Sequence, residues 1–85
     1  MAALQNLAPT VVIRAARGSD GPALRRLAAL DSADLPAGEL LIAEADDAVV
    51  AAVSVETGAK VADPFRRTAD VVDLLAFRAK RLRAA

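Results

Sequence analysis

The 85-residue chain has no cysteine, histidine, tyrosine or tryptophan, and its only aromatic residues are Phe65 and Phe77. Without cysteine there is no disulfide framework and no thiol nucleophile. Without cysteine or histidine the usual zinc sites are excluded as well. A hydroxyl nucleophile such as Ser54 has no imidazole to activate it, so no such role is expected there. No uninterrupted apolar run is long enough to span a bilayer. Met1 to Pro9 lacks a basic n-region, so no secretory signal is expected and the expected location is cytoplasmic. Net charge is zero, from 11 basic and 11 acidic residues. There is thus no global field to attract nucleic acid or a membrane surface, and neither is an expected partner.

What remains is small and apolar. Hydrophobic residues make up 55% of the chain, too many for a disordered segment. Alanine supplies 22 of the 85 residues, so the buried area must come from Leu, Val and Ile. A chain of this length forms one domain, and folding hides only about 60% of the surface it exposes when unfolded. Charge is unevenly spread. Residues 31–59 hold seven acids and no base, and residues 64–85 hold six bases and two acids. These segments read either as two solvated faces or as the halves of a self-complementary dimer.

Residues 1–9 read as an N-terminal lead-in, and residues 10–85 as a single domain. Thr10 to Ala15 is β-branched and short, as a strand should be. Arg17 to Pro22 is a turn cluster, in which Ser19 or Asp20 can cap a helix and Pro22 can sit in its first turn. From Ala23 to Ser32, Leu24, Leu27 and Ala28 recur on one helical face. Leu35-Pro36-Ala37-Gly38 ends it. Glu39–Ala45 and Ala48–Glu56 are two apolar strands around Asp46-Asp47, which fits a tight hairpin without its usual glycine. Lys60–Ala62 is a short third strand of this run, with an exposed edge. Thr68 can cap a last helix reaching Leu82 or Arg83. The expected fold is α+β, a four-stranded antiparallel sheet with two main helices in the order β-α-β-β-β-α.

Ile13-Arg14-Ala15-Ala16, Asp20 with Pro22-Ala23-Leu24, and Leu41-Ile42-Ala43-Glu44 followed by Asp46-Asp47 and Val49-Val50-Ala51 carry a resemblance. Together with the element order, they resemble the N-terminal half of the GNAT N-acetyltransferase family, over roughly residues 11–82. The resemblance implies that the segment after the fourth strand would correspond to the family's coenzyme A loop, whose amides cradle a pyrophosphate at a helix start. Pro64 and Arg67 keep its P-x-x-R spacing, which makes Arg67 the one candidate cofactor-binding residue. The loop's two glycine positions fall on Asp70 and Val72. A carboxylate and a branched side chain both oppose phosphate approach. The family's later elements and its frequent general-acid tyrosine have no counterpart here, so the chain looks like a half-domain with a degenerate loop.

Other charged groups read as surface features. Arg66-Arg67 suits a solvated loop, and Arg78, Lys80, Arg81 and Arg83 suit a helix C-terminus. Glu39, Glu44, Asp46 and Asp47 are spread along a strand and a turn, so no metal site is expected. No catalytic residue is expected either. On the last helix, Val71, Leu75, Ala79 and Leu82 share one face, while Phe77 falls nearly opposite with Leu74 flanking it. Leu74 and Phe77 are therefore the candidate interface residues. The expected function is that of a non-catalytic GNAT-like half-domain acting through self-association or partner binding, with a homo-oligomer or another protein as partner and no cofactor. The alternative is an acetyl-CoA-dependent N-acetyltransferase whose site is completed across a dimer.

Overall fold

The computed structural model describes residues 10–84, so the lead-in expected over residues 1–9 lies outside the described residues. Four strands, β1 (Val11–Ala15), β2 (Leu40–Ala45), β3 (Ala48–Ser54) and β4 (Lys60–Ala62), form one sheet in the order β1-β2-β3-β4. Every neighbouring pair is antiparallel. Helix α1 (Gly21–Leu30) follows β1 after a 3-10 turn, Gly18–Asp20, and helix α2 (Ala69–Ala84) follows β4. The fold is α+β, with four antiparallel strands and two helices.

The helices cover opposite faces of the sheet. Leu24 and Leu27 of α1 pack with Leu40, Ile42, Ala52 and Val61 on one side. Leu75 and Ala79 of α2 pack with Leu41, Ala43, Val53 and Val55 on the other. Strands β2 and β3 are therefore buried on both faces, which explains why they read as continuous apolar runs rather than alternating ones. Small alanines in these strands let both helices sit close to the sheet.

Local geometry follows from residue type. Asp46 and Asp47 both take positive φ, 51° and 69°, the backbone of a tight hairpin whose twist matches that of its strands. Aspartate tolerates this region better than most residues, so glycine is not required. In β3 the register slips between Ala43 and Glu44 of the facing strand, which leaves Val50 unpaired as a bulge. The bulge turns both Val50 and Ala51 toward α2.

Two sequence expectations are corrected. The helical repeat puts Leu82 on the buried face of the last helix, but it is 51% exposed. It stands in the last turn of α2, on the side of β1, where the sheet ends. The edge of β4 was expected to be open. Instead, the Asp31 carboxylate at the end of α1 accepts the Ala62 N–H at 3.1 Å, so part of that edge is tied to α1.

Candidate functional site

Three regions of the fold carry polar or apolar groups that the packing alone does not require. The first lies at the start of α2. Thr68 accepts the Val72 N–H through its carbonyl at 2.8 Å and so stands at the N-cap. Arg66, Arg67, Thr68, Ala69 and Asp70 line a shallow concavity of about 500 Å³. Arg67 is exposed there. Arg66 leans back toward Asp63, with Nε 3.7 Å from Oδ2. Asp70 and Val72 lie in the first helical turn. The Asp70 carboxylate thus shares the positive end of the helix with any incoming anion.

The second region is a groove between α2 and β1. Helix α2 sits over β2 and β3, so β1 is only partly covered on that face, with Ile13 half-buried against the cluster under α2. Ile13, Arg14, Leu41, Phe77, Arg78, Arg81 and Leu82 enclose a volume of about 530 Å³. Phe77 is 56% exposed and Leu74 43%. The Arg81 guanidinium carbon lies 5.6 Å from the centre of the Phe77 ring, a cation–π contact that steadies the ring in solvent. Leu74 and Phe77 are on the outer side of α2, as the helical spacing predicts.

No family model, no curated protein and no solved structure matches this chain. Among the described residues no helix is long and apolar enough to cross a membrane.

The third region was not legible as a site. Arg14 rises from the middle of β1 and binds two elements at once. Its guanidinium donates to Asp20 Oδ1 and Oδ2 at 2.8 and 2.9 Å, and its Nε donates to Glu44 Oε1 at 3.1 Å. Asp20 also accepts the Arg17 N–H at 2.6 Å. The expected capping role of Asp20 is therefore corrected: it closes the 3-10 turn and anchors Arg14, and makes no side-chain cap on α1. The hydrogen bonds from Arg14, then the Arg17 amide, hold the Asp20 carboxyl well below the usual carboxylate range. The same bond to Asp20, then that to Glu44, raises the Arg14 guanidinium. A lone arginine inside an apolar strand was the one signal in the sequence. With all three guanidinium nitrogens donating to the two carboxylates, the cluster ties β1, β2 and the start of α1 together rather than offering a free catalytic group.

The remaining candidates are separate from these regions. Ser54 is fully buried, donates from Oγ to the Ala37 carbonyl at 2.8 Å and accepts the Thr57 N–H at 3.2 Å. That is a loop anchor. Among the described residues no group of three or more acidic side chains converges in a way that could hold a metal ion. Glu44 is engaged by Arg14, while Asp46 and Asp47 occupy the hairpin tip.

Proposed function

We propose that this chain is a non-catalytic, GNAT-like half-domain of the cytoplasm that works by associating with itself or with a protein partner. The observation that carries this reading is the exposed Leu74–Phe77 pair on α2, beside a groove that the chain's own sheet leaves uncovered. Large apolar side chains grouped at the rim of a groove are the usual mark of a docking surface. The composition supports it from the other side, since the chain has no histidine, cysteine or tyrosine to move a proton or form a covalent intermediate.

The acetyl-CoA reading draws on the concavity at the start of α2, with Arg67 at its edge. Asp70 argues against it, because a phosphate there would meet a carboxylate at close range. Titrating coenzyme A by calorimetry separates the two. No heat of binding is expected up to roughly 100 µM, where even a weak phosphate site would begin to fill. Micromolar binding that disappears in Arg67→Ala would overturn the non-catalytic reading.

A further inference from the structure

Four residues on the outer side of α2 are spaced 4, 3 and 4 apart: Asp70, Leu74, Phe77 and Arg81. That is the repeat of a coiled-coil seam, and it places all four in one stripe along the helix. The stripe is acidic at its N-terminal end, apolar in the middle and basic at its C-terminal end. All four side chains are exposed. Among the described residues, neither Asp70 nor Arg81 is in an ion pair.

We propose, resting on the self-association reading above, that this stripe is the seam of a homodimer in which two α2 helices pack antiparallel. A two-fold axis between residues 75 and 76 sets Leu74 against Phe77 of the second copy, and Asp70 against its Arg81. Each contact occurs twice. One flank obeys the same rule, since Asp73 then lies across from Lys80 of the second copy. A parallel pair would instead bring Asp70 against Asp70 and Arg81 against Arg81. Antiparallel packing also opposes the two helix dipoles favourably. The charge pattern therefore selects a second copy of this chain over an unrelated acidic or basic partner, which could satisfy only one end of the stripe.

The seam is short. Helix α2 has 16 residues, about 24 Å of helix, with two large apolar side chains per copy at its centre. Such an interface falls at the low end of the stable size range, so dissociation is expected in the range of tens of micromolar.

Sedimentation equilibrium of Asp70→Arg, Arg81→Asp and their equimolar mixture tests the pairing. Each variant alone brings like charges together twice and is expected to self-associate at least about tenfold more weakly than the wild type. The mixture restores both ion pairs and is expected to form a heterodimer close to wild-type strength. Both substitutions run against the helix dipole, so helical circular dichroism is followed in parallel. Asp73→Lys with Lys80→Asp serves as a second pair if either variant loses its fold. A wild-type dimer indifferent to both exchanges would overturn the α2 seam and leave self-association standing. A wild-type chain that stays monomeric would overturn the seam and the self-association reading together.

Discussion

Leu75→Asp is expected to unfold the domain outright, while the same substitution at Leu82 leaves it folded. Sequence periodicity puts the two leucines on one helical face, but Leu75 is 0% exposed and Leu82 is 51% exposed. Leu75 lies between Leu41, Val53 and Ala79 in the cluster under α2. Truncating a leucine in such a place costs about 2–5 kcal/mol, and an unpaired carboxylate adds several more. The whole domain is stabilised by roughly 4–13 kcal/mol at its length, so the margin is consumed. Urea denaturation followed by circular dichroism should show no folded baseline for Leu75→Asp and a midpoint near wild type for Leu82→Asp. Two equal losses would mean that α2 is rotated relative to the sheet.

Arg14→Ala is expected to produce the largest loss of stability among substitutions of partly exposed residues, and to flatten the response to acid. The substitution leaves Asp20 with only the Arg17 amide as partner and removes the bond to Glu44. The Asp20 carboxyl is depressed from its ordinary value of 3.8 in the folded chain. A carboxyl depressed in this way stabilises the fold fully above its unfolded value. That contribution is lost as pH falls from about 4 toward the lower folded value. Wild-type urea midpoints should therefore drop as pH falls below about 4, the ordinary carboxylate value. Those of Arg14→Ala should start lower and fall less. A variant as acid-sensitive as the wild type would show that Asp20 does not depend on Arg14.

Much of the fold could be read from the chain because local chemistry sets it. The Asp46-Asp47 hairpin stands between two apolar runs, and Pro64 with Thr68 marks the start of the last helix. What stayed hidden depends on distance along the chain. Val50 is a bulge within a stretch of small apolar residues, and with both faces buried there is no alternation to betray a slipped register. Leu82 follows the helical repeat, yet the sheet beneath it ends at β1, and periodicity carries no information about the width of a sheet. Asp31 protects the edge of β4 across 31 residues of sequence. Arg14 meets Glu44 across 30. The Leu74–Phe77 pair was visible because a single helix repeat defines it. The flanking Asp70 and Arg81 read singly as dipole partners, and their complementarity emerges only when two copies of the stripe are laid antiparallel.

The self-association account stands most directly on the mass of the chain in solution. Sedimentation equilibrium from about 5 µM to about 1 mM spans the affinity expected of a short helix seam. The account predicts a weight-average mass rising from 8.8 kDa toward twice that value, and a return to the monomer mass in Phe77→Asp with its helical signal retained. A mass fixed at 8.8 kDa over the whole range would contradict it.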